Sequence, residues 1–152
     1  MSEPLSVLIA DDHELFRLGT RSLIESLDDF ECVGETATGA ETIDFLKAHD
    51  VDLLLLDYNM PDGDGLSVIQ ALLSNRNGNI SIVLLTAIDS PLVLSAAIEA
   101  GVSAVVTKRG SGEQLLQAMS AVRDQQQFVT PQAQQILDRA VELNNSRNAK
   151  RR

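Results

Sequence analysis

The chain has 152 residues, enough for one domain with a proper core, and 44% of them are hydrophobic. Aromatic residues make up only 3% and tryptophan is absent, so the core has to be assembled from Leu, Ile, Val and Ala. A formal charge of -10 opposes unaided binding to a phosphate backbone, the single Cys32 cannot close an internal disulfide, and no apolar stretch approaches the ~20 residues of a membrane span.

The amino terminus, Met1-Ser2-Glu3-Pro4, lacks the basic-then-apolar order of a signal peptide, and the expectation is a cytoplasmic protein. An apolar run over 5–10 reads as a first strand that ends in Asp11 and Asp12. Leu15, Phe16, Gly19, Leu23, Ile24 and Leu27 then recur at helical spacing. A second strand near 31–37 contains Cys32, which reads as a small core residue. Thr38 and Glu41 follow it at the spacing of a capping box, in which side chain and backbone satisfy each other's unpaired N–H groups. The helix they open carries Ile43, Phe45 and Leu46.

Residues 52–57 form a third strand. It is apolar at consecutive positions, hence buried on both faces as at the centre of a parallel sheet, and Asp57 ends it. Asp64 is placed to cap a third helix with Leu66, Ile69, Leu72 and Leu73. A polar turn over 74–79 leads to a fourth strand that ends at Thr86. Ser90 and Pro91 start a fourth helix and Gly101 stops it. A fifth strand, 104–107, ends in Lys108. Ser111 and Gln114 offer another capping box before a helix lined by Leu115, Leu116, Met119 and Val122.

Five strand–helix pairs predict an α/β fold, a doubly wound five-stranded parallel sheet, with right-handed crossovers placing helices on both faces. Gln125-Gln126-Gln127 marks a composition shift, which divides the chain into a domain over 1–126 and a segment over 127–152. Thr130-Pro131 begins an extra C-terminal helix with Ala133, Ile136, Leu137, Ala140 and Val141 on one face. From Asn144 to Arg152 the chain is polar and basic without apolar period, as expected of a disordered tail or linker.

The polar groups at the strand ends carry the chemistry. The carboxyl ends of parallel strands share one edge of the sheet, where open α/β sheets bind ligands. Asp11, Asp12 and Asp57 repel one another unless a cation joins them. Mg²⁺, which takes oxygen ligands and keeps several waters, suits the group. Asp12, Asp57 and the main-chain carbonyl of Asn59 would be ligands, with Asp11 holding a metal-bound water. Asp57, beside the metal at the end of the central strand, is placed to act as a nucleophile and become an acyl phosphate. The metal, the Lys108 ammonium and the Thr86 hydroxyl would each neutralise one phosphoryl oxygen. The small side chain of Ala87 leaves room for the donor.

These segments, Ala10-Asp11-Asp12-His13, Leu56-Asp57-Tyr58-Asn59-Met60-Pro61-Asp62-Gly63-Asp64-Gly65, Leu85-Thr86-Ala87 and Lys108, resemble the receiver domain of two-component response regulators. The resemblance spans about 5–125, and the run from Asp11 to Gly19 is most similar to the NarL/LuxR-type subgroup. It implies a (βα)5 flavodoxin-like sheet with strand order 2-1-3-4-5. It also implies that Asp57 accepts phosphate from a sensor histidine kinase or phosphotransfer protein, that Asp11 and Asp12 serve Mg²⁺, and that Thr86 and Lys108 read the phosphoryl oxygens. The implied function is a phosphorylation-activated switch rather than an enzyme with a separate substrate. It would catalyse its own phosphorylation and dephosphorylation and could form a homodimer. DNA would be reached only through an output domain outside these 152 residues. Three positions in the switch region depart from the common pattern. Val105 stands where many receivers carry Tyr or Phe and cannot make the ring rotation. Arg109 replaces the proline that often follows the lysine. Ile88, two residues after Thr86, cannot position an attacking water, which is expected to slow loss of phosphate.

Other readings of the same residues fit less well. A calcium loop over 57–68 fails because Pro61 and Val68 stand where oxygen ligands belong. His13 reads as an exposed first-turn residue more than as a metal ligand, and Gly63 and Gly65 as turn residues rather than a phosphate cradle. Two other functions fit the pattern less closely. One is a stand-alone receiver acting as a phosphotransfer or docking adaptor. The other is a phosphatase acting in trans, for which Asn59 stands where a second acid is needed.

Overall fold

The computed structural model describes residues 3–75, 80–87, 90–108 and 112–150. In chain order the elements are β1 (Leu5–Ala10), α1 (Glu14–Glu25), β2 (Phe30–Thr36), α2 (Gly39–Ala48), β3 (Leu53–Asp57), β4 (Asn59–Met60), β5 (Gly63–Asp64), α3 (Gly65–Asn75), β6 (Ser81–Thr86), α4 (Pro91–Ala100), β7 (Ala104–Thr107), α5 (Gly112–Arg123), β8 (Phe128–Val129) and α6 (Pro131–Lys150). The main sheet runs β2-β1-β3-β6-β7-β8 and all its pairings are parallel. Its first five strands therefore follow the expected 2-1-3-4-5 order.

Side chains alternate across a strand, and here both faces are covered. Val7, Ile9, Leu53, Leu55, Val83, Leu85, Ala104 and Val106 pack with Ile24 of α1 and with Leu115, Ala118 and Met119 of α5. Leu8, Leu54, Leu56, Ile82, Leu84 and Val105 face the other way, against Ile69 of α3 and Leu94 and Ala97 of α4. The consecutive apolar positions of β3 follow from this double burial.

Local signals in the sequence act where they stand. The Thr38 side chain accepts from the Glu41 amide at 3.1 Å, and Glu41 accepts from the Ala37 amide at 3.0 Å. Ser90 accepts from the Val93 amide, Pro91 follows as the first residue of α4, and Gly101 closes the helix at φ 107°, a conformation that favours glycine. Ser111 and the side chain of Asp64 lie outside the described residues, as does the stretch 76–79 within the proposed polar turn.

The carboxyl-terminal part differs from the sequence reading. β8 adds a sixth strand against the edge of β7, with Ala104 opposite Phe128 and Val105 opposite Val129. The Thr130 amide then donates to the Val105 carbonyl at 3.2 Å, and the buried Thr130 hydroxyl accepts from the Ala133 amide to start α6. Helix α6 lies against α4, where Ala133, Ile136 and Leu137 join the same core. Val141, grouped with that stripe on periodicity, is 59% exposed. The helix nevertheless runs to Lys150. Once packing has anchored the first turns, each further turn adds hydrogen bonds without a new nucleation cost. No described helix is long and apolar enough to cross a membrane.

Candidate functional site

Strand alternation positions the site. Asp57 has the parity of Leu53 and Leu55, and Lys108 that of Ala104 and Val106, so both fall on the α1/α5 side of the sheet edge. Thr86 has the parity of Ile82 and Leu84, on the α4 side with Val105. The two sides meet through backbone. The Lys108 amide donates to the Thr86 carbonyl at 2.9 Å, and the Tyr58 amide donates to the Leu85 carbonyl at 2.9 Å. Thr86 itself is buried.

The acids and the lysine come together as expected. Lys108 Nζ lies 3.0 Å from Asp57 Oδ2 and 2.8 Å from Asp11 Oδ2. Asp57 and Asp11 are both buried, while Asp12 is exposed at the rim. Burial pushes the Asp57 carboxyl above its ordinary range. The hydrogen bond from Lys108 opposes that shift and the neighbouring charge of Asp11 adds to it. Asn59, exposed on β4, donates its amide to Asp57 Oδ1 at 3.3 Å.

The short β4–β5 hairpin, which the sequence presents only as a loop, carries Asn59 past Asp57. It returns to α3 through Gly65, whose amide meets the Tyr58 carbonyl at 2.6 Å. A Cβ on Gly65 would stand 3.0 Å from Tyr58 Cα and 3.3 Å from the Asp57 carbonyl oxygen, so close approach requires glycine here. The hairpin is tied down by Asp62, whose carboxylate accepts the Gly39 and Ala40 amides at 2.8 and 2.9 Å. Those two bonds hold the Asp62 carboxyl below its usual range.

Three residues gain roles that their sequence context did not give them. His13 turns Nδ1 into the cluster, 3.0 Å from Asp11 Oδ1, 3.2 Å from Asp12 Oδ1 and 3.7 Å from Asp57 Oδ2. Its place next to Asp12 was the only signal. Phe16, part of the α1 stripe, lies under the Lys108 ammonium, 4.5 Å from ring centre to Nζ, in a cation–π contact. Arg17 donates to the Asp11 carbonyl at 2.5 Å and reaches Glu35 at 3.4 Å, tying α1 to the ends of β1 and β2. Of the expected switch positions, Ala87 is exposed just after β6 and Val105 is fully buried, whereas Ile88 lies outside the described residues.

The residues fit a divalent cation. Atoms of Asp11, Asp12, His13 and Asp57 lie within 4.8 Å of one another. Asp11 Oδ2 is buried without a hydrogen-bond partner among the described residues; the Lys108 ammonium is near it but off the hydrogen-bonding direction. Three carboxylates against one ammonium leave negative charge that a hard, oxygen-seeking cation would neutralise.

The sequence profile of the response regulator receiver domain matches residues 7–120. The nitrate/nitrite response regulator protein NarP of Escherichia coli K12 is 39% identical over 119 residues, covering 78% of this chain and 54% of NarP. The isolated REC domain of RcsB from Salmonella enterica serovar Typhimurium, solved with the phosphomimetic BeF3-, superposes with a TM-score of 0.83 at 28% identity, over 89% of this chain and 99% of that one. RcsB of the same organism bound to the promoter P1flhDC gives a TM-score of 0.84 at 28% identity, over 90% of this chain and 67% of that one. The chain thus spans about half the length of NarP.

Proposed function

Because this chain belongs to the response regulator receiver domain family, we propose that it is a phosphorylation-controlled switch whose phosphoacceptor is Asp57. The observation that carries this reading is the buried Asp57 carboxylate within reach of the Lys108 ammonium and beside two further acids. The donor is a phosphohistidine on a sensor kinase or phosphotransfer protein. One carboxylate oxygen of Asp57 bonds to phosphorus as the bond from phosphorus to the donor breaks, leaving an acyl phosphate.

Asp11, Asp12, Asp57 and the Asn59 carbonyl are the residues that would hold Mg²⁺, which when bound supplies charge neutralisation for the phosphoryl oxygens. Lys108 holds one phosphoryl oxygen as a point charge, kept in place by Phe16 beneath it. Thr86 offers its hydroxyl to another, and its movement towards the phosphoryl group carries the signal to α4 as a population shift. With Val105 in place of a ring, the coupling runs through packing of β7 and α4 rather than through aromatic rotation.

In this reading the chain acts on itself and has no separate substrate. Residues 1–126 contain the phosphoacceptor unit and 127–152 lead from it. The buried Thr130 and Ala133 support close attachment of that segment to α4. Output is control of transcription in the cytoplasm, through dimerisation and a DNA-binding module beyond this sequence. The promoter-bound state of RcsB supports that step.

The test is intact mass after incubation with Mg²⁺ and a small acyl-phosphate donor. Wild type should gain one phosphoryl group and Asp57→Ala none. Equal labelling of both proteins would refute Asp57 as acceptor.

A further inference from the structure

We infer that His13 is a ligand of the cation held by the acidic cluster, and that it biases the site towards later transition ions such as Co²⁺ relative to Mg²⁺. The inference rests on the cation-binding reading above and adds a nitrogen donor to it. The His13 side chain is 62% exposed, yet Nδ1 points inward at the carboxylates rather than out to water. Adjacent ligands around an octahedral ion with bonds of about 2.1 Å lie roughly 3.0 Å apart. Nδ1 stands 3.0 Å from Asp11 Oδ1 and 3.2 Å from Asp12 Oδ1, close to that spacing.

The lysine sharpens the argument. Lys108 Nζ is 3.2 Å from the same nitrogen, and an ammonium can only donate. In the tautomer that accepts from Lys108, Nδ1 presents its lone pair towards the carboxylates of Asp11 and Asp12, an arrangement that a shared cation favours. Asp11 Oδ2, buried and without a hydrogen bond among the described residues, lies 2.8 Å from the same ammonium. His13 makes no side-chain capping bond to α1, so the ring has no other structural duty at the helix start. The His13 amide also donates to Asp11 Oδ1 at 2.8 Å, which holds the backbone of this residue beside the cluster. Imidazole is a poor partner for Mg²⁺ and a good one for later transition ions, so this one nitrogen decides preference rather than the presence of a site.

The experiment uses the untagged full chain, titrated calorimetrically with Mg²⁺ and with Co²⁺, as wild type, His13→Ala and Asp12→Asn. Pulsed electron paramagnetic resonance of the Mn²⁺-loaded wild type and His13→Ala is recorded alongside. His13→Ala should lose roughly tenfold or more in Co²⁺ affinity and less than about threefold in Mg²⁺ affinity. Asp12→Asn should weaken both. Mn²⁺ in the wild type should show a coupled nitrogen that disappears in His13→Ala. Equal weakening of both ions by His13→Ala, or no coupled nitrogen in the wild type, overturns the inference and leaves the cation site standing. Failure of the wild type to bind either ion overturns both.

Discussion

The ammonium of Lys108 lies 3.0 Å from Oδ2 of Asp57, although 51 positions of sequence separate the two residues. The contact joins the ends of β3 and β7, which are not neighbours in the sheet, because β6 lies between them. The ammonium faces Asp57 and Asp11 together, so it compensates charge in a cluster rich in carboxylates.

Lys108→Met should therefore destabilise the metal-free protein. Removing one partner of a buried pair leaves an uncompensated charge and costs about 3 kcal/mol. Urea unfolding in chelator measures that loss. Added Mg²⁺ should narrow the gap, since a ligand bound to the folded state stabilises it by mass action. A Lys108→Met protein as stable as wild type in chelator would contradict the compensating role.

Asp57→Asn should act in the opposite sense. The folded state raises the Asp57 carboxyl above its ordinary value of 3.8, through burial first. The folded form thus binds this proton more tightly than the unfolded form. The resulting stability is fully present below 3.8 and is lost as pH climbs through the raised value. At neutral pH the buried charge is a net cost that asparagine removes. Thermal melts in chelator should place Asp57→Asn above wild type at pH 7, with the gap closing below pH 3.8. A variant that melts lower at neutral pH would show that the Lys108 contact outweighs burial.

Asp62 should show the reverse pH dependence. Its carboxyl is held below 3.8 by the Gly39 and Ala40 amides at the start of α2. That stabilisation is present above the ordinary value and is lost as pH falls through the depressed one. Asp62→Ala should weaken hydrogen-exchange protection of the Gly39 and Ala40 amides at neutral pH. Unchanged protection of both amides would mean that the hairpin is not tethered through this side chain.

Helix α6 gives a paired comparison. Ala133 is fully buried against the core beside α4, and Val141 is largely exposed two turns later. Ala133→Asp buries an unpaired charge and should cost roughly 2–4 kcal/mol, opening the segment around 125–131 to protease. Val141→Asp should stay within about 0.5 kcal/mol of wild type. Chemical denaturation and limited proteolysis of the two variants measure both effects, and similar behaviour of the pair would mean that α6 is not part of the packed unit.

Most of the architecture was legible because it is written in local patterns. Apolar runs of strand length, a Thr38–Glu41 cap, a Ser90-Pro91 start and a Gly101 stop each act within a few residues of where they stand. The acids and Lys108 were also legible as a group, because residues just past buried parallel strands must share one edge. The β8 strand was not: Phe128-Val129 is too short to signal itself, and it exists by pairing with the free edge of β7. Nor was the length of α6, since its second half has no apolar stripe and depends on the anchored first turns.

Sequence alone thus determined which side chains reach the carboxyl edge of the sheet, because strand period and strand end are properties of short stretches of chain. Tertiary structure decided what those side chains meet there. The inward turn of His13, the seat of Lys108 on Phe16 and the hold of Asp62 on α2 depend on distances between elements that no local period encodes. The same is true of Thr86 and Asp57: each strand's alternation is local, but which face each presents is set only when the helices choose their sides.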